Sequence, residues 1–507
     1  MTDSVLTPAI REEVGRLERA DIMVGIPSSR NAATIGYVVR AAHAGLVQYF
    51  PDLRPVLVNA DEGSPDGTQQ VVVETEPPDY IEEILLVRPT NRLRRVSITY
   101  PPVGGTGGKG AAIRTLFEIA AALEVQALVI VDSDLRSILP EWIELLAGPI
   151  LKGGYDFVAP LYTRHKYDGT ITNTLAYPLT RALYGHRIRQ PIGGDVGISG
   201  DLVRHYLAVA PEAWNDDVSR FGIDIWMTTE ALTAGFAVCQ TRLGAKIHDP
   251  KDPGTDLGPM FREVVGTILA ETARHADRWT GIHGSHDVPA YGFERIADPP
   301  PVRVDPVRLL GQFEAGASTF RDTWSAMLAP ATLKAVLGLA VTAAGVNLSA
   351  RDWLNLDRGA DVGRLDTATL AGAMATFHFA DDAWARVVYD LVVAARRGDR
   401  PVADLVAALV PIYFGRVASL IVEARQAGVD EMDALVERQA LAFERLKPEL
   451  VARWGAIGGT GAIGGTGAIG GTGAIGGTGA IGGTGAIGGT VGGNTPAPAG
   501  GATSPRT

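Results

Sequence analysis

The chain has one cysteine in 507 residues, Cys239, so no intramolecular disulfide can form and a disulfide-stapled architecture is excluded. Positive charge is also scarce. Lys and Arg number 46 against 57 Asp and Glu, a net charge of −11, which argues against nucleic acid as the main partner because phosphate backbones demand clustered cations. Long uncharged apolar runs are missing too: none reaches the roughly 18 residues of a membrane-spanning helix. The nearest, Leu333 to Val346, is interrupted by Lys334 and predicts a buried helix. The opening Met1-Thr-Asp-Ser-Val has neither the basic nor the apolar region of a signal peptide. These absences predict a cytoplasmic chain without a membrane span, and a hydrophobic fraction of 46% allows a sizeable core in two or three domains.

Strand and helix signals alternate over the first 250 or so residues, the pattern of an α/β sheet. Ile22 to Ile26 predicts a strand closed by Pro27-Ser-Ser, Ala32 to Phe50 a helix, Pro55 to Val58 a second strand, and Asp61 to Thr68 a turn opening the next helix. Ala127-Leu-Val-Ile-Val predicts a fully buried parallel strand ending in Asp132-Ser-Asp134. Two carboxylates one residue apart at a strand end can turn toward one cavity, and their oxygens suit magnesium or manganese. Asp156 to Tyr162 and Ala237 to Leu243 predict later strands, and Trp142 to Leu151 a helix.

Upstream of the paired acids lies Gly104-Gly-Thr-Gly-Gly-Lys109-Gly110, followed by Ile113, Leu116, Phe117, Ala120 and Leu123 on one helical face. Lys109 is thereby placed at a helix start, where backbone N–H groups and the dipole favour phosphate. The segment is not a P-loop: Gly110 and Ala111 stand where a Ser or Thr would meet magnesium, which disfavours a kinase or ATPase.

A proline-rich stretch near 299–309 marks a boundary, and helical patterns such as Leu405, Leu409, Ile412 and Phe414 follow it. The expected organisation is a catalytic domain over 1–298, a helical accessory domain over 310–454 that covers the first or mediates self-association, and a tail over 455–507. The tail repeats Gly-Ala-Ile-Gly-Gly-Thr six times. One large apolar side chain per repeat cannot offset about 1–2 kcal/mol of backbone entropy per residue, so the tail is expected to be disordered.

The motif order, from Pro27-Ser-Ser-Arg-Asn31 through Asp61-Glu-Gly-Ser-Pro-Asp-Gly-Thr68, Gly108-Lys-Gly110 and Asp132-Ser-Asp134 to a later His248, resembles the nucleotide-diphospho-sugar transferases of the GT-A fold. Within them it is most similar to the retaining enzymes that make mannosylglycerate, glucosylglycerate and glucosyl-3-phosphoglycerate, over roughly Asp21 to Asp252. The resemblance implies that Pro27, Ser28, Ser29 and Asn31 hold the nucleoside, with Asn31 standing where these enzymes often have Glu. It also implies that Asp61 contacts the base, that Lys109 lies near the nucleotide, and that Asp132, near the ribose, joins Asp134 and His248 as metal ligands. Arg164 and Thr172 match an Arg and Thr that bind an acceptor carboxylate. Thr170 replaces the Arg of the phosphoglycerate enzymes, which favours free glycerate. Asp195, in Gln190-Pro-Ile-Gly-Gly-Asp195, and Asp224, in Phe221-Gly-Ile-Asp224, match acids beside the reacting sugar and are the catalytic candidates, their glycines read as tight turns.

The implied activity is Mg²⁺- or Mn²⁺-dependent transfer of glucose or mannose from a nucleotide diphosphate sugar to glycerate or a related small hydroxy acid, with retention. A 3-phosphoglycerate acceptor, an inverting transferase, a sugar-phosphate nucleotidyltransferase and a noncatalytic binding protein remain open, although the loop after the first strand lacks the glycine- and basic-rich pyrophosphate segment of a nucleotidyltransferase.

Overall fold

The computed structural model describes residues 4–78, 93–102, 105–247, 258–294, 299–356 and 377–457. Eight strands form one sheet: β1 Ile22–Ser28, β2 Pro55–Asp61, β3 Arg94–Thr99, β4 Ala127–Ile130, β5 Phe157–Thr163, β6 Val196–Ser199, β7 Val238–Ala245 and β8 Ala290–Tyr291. Their order is β3-β2-β1-β4-β6-β5-β7-β8. All neighbours are parallel except those of β6, which runs antiparallel to both β4 and β5. The expected strand at Ala127 is buried along its whole length, as its apolar run requires, but one of its two partners is antiparallel.

That reversal matters for the site. Because β6 runs backwards, its first residue Val196 pairs with the last residue of β4, Ile130. The residues just before β6 and just after β4, Asp195 and Asp132, therefore meet at one sheet edge. Ligands of open α/β sheets bind at this carboxyl edge.

Helices cover both faces. The predicted helices run Ile35–Tyr49, Lys109–Ala122 and Glu141–Gly153, within a few residues of the expected bounds. Strands β3, β6 and β8 were not anticipated: β8 is only two residues long, and β6 lies inside the segment read as a glycine turn. From Pro306 onward the described residues are helical, ending in Asp381–Arg397, Val402–Glu423 and Val429–Ala456. The described residues, as far as 457, belong to one compact unit. One apolar cluster joins sheet residues such as Met23, Leu128 and Phe157 to Leu309, Trp384, Tyr413 and Phe443 of these helices, while a second fills the opposite face around Val24, Val129 and Trp142.

The helix expected to be buried at Leu333–Val346 lies within Pro330–Leu356 and buries one face only, through Val336, Ala340, Ala343 and Val346, with Val341 74% exposed. One described helix, Val402–Glu423, is long and apolar enough to cross a membrane, and 83% of its most apolar window lies inside the fold. Its Arg416 is buried and paired with Asp381 and Glu423. The last helix takes in Gly455 and Ala456, and the repeat tail beyond it lies outside the described residues.

Candidate active site

A cavity of about 510 Å³ opens at the carboxyl edge of the sheet. Pro27, Ser28, Ser29, Asn31, Lys109, Asp132, Asp134, Arg164, Thr172 and Asp224 all line it, so ten of the thirteen residues singled out in the sequence reach one space. Two others, Asp61 and Asp195, are wholly buried outside its lining, and His248 lies outside the described residues.

The end of β1 and the loop after β4 are tied together. Asn31 Oδ1 accepts from Ser29 N at 3.1 Å and from Ser133 Oγ at 2.8 Å, and Thr34 Oγ1 donates to the Ser133 carbonyl at 2.9 Å. Asp61 accepts from Ser28 Oγ (2.6 Å), Gly63 N (2.9 Å), Ser64 N (2.6 Å) and Ser64 Oγ (2.8 Å). Its carboxylate is thus saturated by the chain's own donors and shapes the loop after β2. The acid that reaches the cavity beside it is Glu62.

The glycines on either side of Lys109 are tied to the segment before the Ile223–Thr233 helix and to Tyr100. Gly110 N donates to the Arg220 carbonyl at 3.1 Å, Ala111 N to the Ser219 carbonyl at 2.9 Å, and Gly108 N to Tyr100 Oη at 3.2 Å. The second and third N–H groups of this helix are therefore already used. A Cβ on Gly110 would stand 1.8 Å from the Val218 carbonyl oxygen, so glycine is needed for backbone to approach backbone. Before Asp195 the expected turn is present, Gly193 N donating to the Gln190 carbonyl at 3.0 Å, and a Cβ on Gly194 would lie 2.5 Å from Asp132 Oδ2 and 2.6 Å from Lys109 Nζ.

At the centre, Asp132 is gripped by two ammonium groups. Lys109 Nζ lies 2.9 Å from Oδ1 and Lys246 Nζ 2.6 Å from Oδ2. Burial opposes its charge, but the two lysines outweigh burial and hold the carboxyl well below its ordinary range. Lys246 also meets Asp195 Oδ2 at 2.8 Å, and Asp195 Oδ1 accepts from Asp132 N at 2.8 Å. Tyr162 Oη donates to Asp195 as well, and burial, followed by the Asp195 charge, keeps this phenol protonated. Asp195 therefore fixes Asp132 and Lys246 from beneath.

Lys246, two residues before His248, carries no motif that marks it in the sequence. It follows β7 directly. An extra residue, Leu243, bulges out of the pairing between Leu161/Tyr162 and Arg242/Gly244, and such bulges re-aim side chains next to sites.

Asp224 sits in the first turn of the Ile223–Thr233 helix, its Oδ2 3.0 Å from Lys109 Nζ. Oδ1 is buried without a hydrogen-bond partner, and burial pushes the carboxyl up to about 6 against the pull of Lys109. Asp134 lines the cavity and has no partner among the described residues. This hard, uncommitted oxygen donor fits a magnesium- or manganese-type ion. Asp132 already carries one lysine on each oxygen and would share any such ion with them.

Elsewhere in the cavity lining, Arg164 follows β5. Its Nη1 lies 2.8 Å from Asp168 Oδ2 and its guanidinium 5.2 Å from the Tyr162 ring centre. Thr172 opens a π-helix, Thr172–Ala176. Thr170, wholly buried, shares a 2.7 Å hydrogen bond with Tyr413 Oη of the Val402–Glu423 helix.

No family model matches the chain. The glucosyl-3-phosphoglycerate synthase of Petrotoga mobilis is 24% identical over 285 residues, 52% of this chain and 78% of that protein. Among solved structures, the glucosyl-3-phosphoglycerate synthase of Mycobacterium tuberculosis in complex with Mn²⁺, uridine diphosphate and phosphoglyceric acid is 25% identical, covering 51% of this chain and 82% of that one, with a TM-score of 0.37. Its complex with Mn²⁺, UDP-glucose and glycerol 3-phosphate gives 25%, 51%, 84% and 0.37. The chain is thus similar, over about half its length, to a glycosyltransferase of the group to which its motif order pointed.

Proposed function

We propose that this protein is a metal-dependent retaining hexosyltransferase that moves glucose or mannose from a nucleotide diphosphate sugar to the hydroxyl of glycerate or a related small hydroxy acid. One observation carries the reading. The residues following β1, β4, β5 and β7 and the first turns of two helices converge on a single cavity, in which two lysines hold Asp132 while Asp134 and Asp224 Oδ1 are left uncommitted.

In this reading the Pro27–Asn31 loop receives the nucleoside. Lys109 and Lys246 meet the diphosphate oxygens, concentrating positive charge where the leaving group gains negative charge. A divalent cation bound through Asp134, with His248 as the further ligand, would neutralise the departing diphosphate. Arg164 gives the acceptor carboxylate a planar fork and Thr172 a hydroxyl. Asp224 Oδ1 accepts a hydrogen bond from the sugar or the attacking hydroxyl, and Asp195 positions Asp132 and Lys246. Residues 1–298 form the catalytic region and 310–454 its helical support, and a cytoplasmic location goes with this assignment.

The commitment of the Thr170 hydroxyl to Tyr413 favours an acceptor without phosphate. A second reading, 3-phosphoglycerate as acceptor, is favoured by the names of the relatives and by Arg220. That residue lines the cavity half-exposed, its guanidinium 3.6 Å from Glu263, and is open to a phosphate. Incubation with Mg²⁺ or Mn²⁺, a panel of UDP-, GDP- and ADP-hexoses, and glycerate or 3-phosphoglycerate, read by mass spectrometry, separates these. Glycosylglycerate formation supports the first reading, product from 3-phosphoglycerate alone the second, and no product from any pair contradicts both.

A further inference from the structure

The acceptor segment is held by donors from the far end of the chain. In the π-helix Thr172–Ala176, Tyr177 N reaches back to the Thr172 carbonyl, and the next residue, Pro178, has no N–H. The carbonyls of Asn173 and Thr174, five and four residues before it, therefore lose the donor that residue 178 would have supplied. Buried carbonyls need partners. Asn173 O receives Gln439 Nε2 at 2.7 Å, and Thr174 O receives Trp384 Nε1 at 2.6 Å. Both donor side chains are fully buried, and they lie 266 and 210 residues along the chain from these carbonyls. Gln439 is itself fixed, its Oε1 accepting from Arg416 Nε at 2.8 Å.

The segment is otherwise packed into the core through Ile171, Leu175 and Ala176, and Asn173 Oδ1 accepts from Arg189 Nη1 at 2.8 Å. Arg164 and Thr172 line both the main cavity and a second one of about 480 Å³, bounded by Arg189, Arg242 and the start of the Val429–Ala456 helix. Thr172 thus lies in the wall between two cavities, next in sequence to the two carbonyls held from the C-terminal helices.

We propose that Trp384 and Gln439 are positioning residues for acceptor binding. By satisfying the Thr174 and Asn173 carbonyls, they hold the π-turn that aims Thr172 into the cavity, so the C-terminal helices set acceptor affinity without touching the acceptor. The proposal rests on the assignment of Arg164 and Thr172 to the acceptor.

Trp384→Phe removes one donor. Gln439→Glu removes the other while keeping an oxygen for Arg416. Trp324→Phe is the control, because it deletes an equally buried indole bond, to the Ala408 carbonyl at 2.8 Å, within the helices and away from this segment. With acceptor and donor varied separately, Trp384→Phe and Gln439→Glu should each raise acceptor KM about tenfold while donor KM and acceptor-independent donor hydrolysis stay within about twofold. Trp324→Phe should lower thermal stability and leave acceptor KM unchanged. Unchanged acceptor KM in both test variants, or an equal rise in Trp324→Phe, overturns the proposal. If the wild-type protein transfers to no acceptor, the functional reading has failed, and hydrogen exchange decides the positioning role separately. Faster exchange of the 172–177 amides in the two test variants but not in Trp324→Phe supports it, and unchanged exchange overturns it.

Discussion

The Ile223–Thr233 helix carries two buried acids, Asp224 in its first turn and Glu230 six residues later, and each belongs to a cluster of opposed charges. Around Glu230 the cluster is closed. Arg274 pairs with both Glu230 and Glu271, His275 Nε2 lies 3.1 Å from Glu230 and 3.3 Å from Glu271, and His205 approaches Glu230 at 3.4 Å. Ligand atoms of Glu230, Glu271 and His275 fall within 4.8 Å of one another, a spacing that could hold a metal ion, yet the arginine already occupies the position of the cation. Around Asp224 the cluster is open: two lysines face Asp132, Asp195 and Asp224, one Asp224 oxygen is unpartnered, Asp134 is uncommitted, and a cavity lies in front. Buried charge by itself marks structure. Buried charge with oxygens left over, facing a space large enough for a ligand, marks a site.

Substitutions should separate the two clusters sharply. Asp134→Ala in the open cluster should lower transfer on the order of 10³-fold with little loss of thermal stability, because its carboxylate has no structural partner to abandon. Arg274→Met in the closed cluster should do the reverse, destabilising the fold by about 3–5 kcal/mol by leaving Glu230 and Glu271 with His275 alone to offset two buried charges. Transfer per folded molecule should be unchanged. Denaturant unfolding and turnover of the same preparations check both.

The clusters also differ in pH response. Burial opposes the charged form of His275, but hydrogen bonds to Glu230 and Glu271 outweigh burial and raise it to about 9 from an ordinary value of 6.5. Its stabilisation is present in full below 6.5 and lost as pH climbs through about 9, so Tm should fall over that window in the wild type and less in His275→Gln. Asp224 is raised to about 6 from 3.8 by burial, so the folded state binds its proton more tightly than the unfolded state does, and its contribution to stability falls as pH rises from 3.8 to 6. Activity should move the other way: if the ionised carboxylate accepts the hydrogen bond, transfer falls below about pH 6, and Asp224→Asn loses that acid limb along with about 10²-fold of the rate.

The open cluster was legible in the sequence where its residues follow strands in recognisable motifs. Pro27 to Asn31, Asp132, Asp134, Arg164 and Asp224 were found in this way, and the cavity collects them. Lys246 was not, because a single lysine after a strand has no pattern and its aim depends on the bulge at Leu243. The depth of Asp61 and Asp195 could not be read either: sequence order places an acid at a strand end but does not say whether the loop folds over it. The turn before Asp195 was legible, and Gly193 N closes it onto the Gln190 carbonyl at 3.0 Å, but the close backbone approach at Gly108 and Gly110 was not, since it leaves the same mark as a phosphate loop. The bonds from Trp384 and Gln439 span more than two hundred residues and leave no local trace. The closed cluster, drawn from His205, Glu230, Glu271, Arg274 and His275, announced itself by no motif at all.

The most direct measurement compares wild type, Asp134→Ala and Arg274→Met for metal-dependent formation of hexosylated glycerate or 3-phosphoglycerate, detected by mass spectrometry and normalised to folded protein. Product from wild type and Arg274→Met but not from Asp134→Ala is the predicted result. Full activity in Asp134→Ala, or no product from a wild-type protein that binds nucleotide sugars, would contradict the assignment of the open cluster as the transfer site.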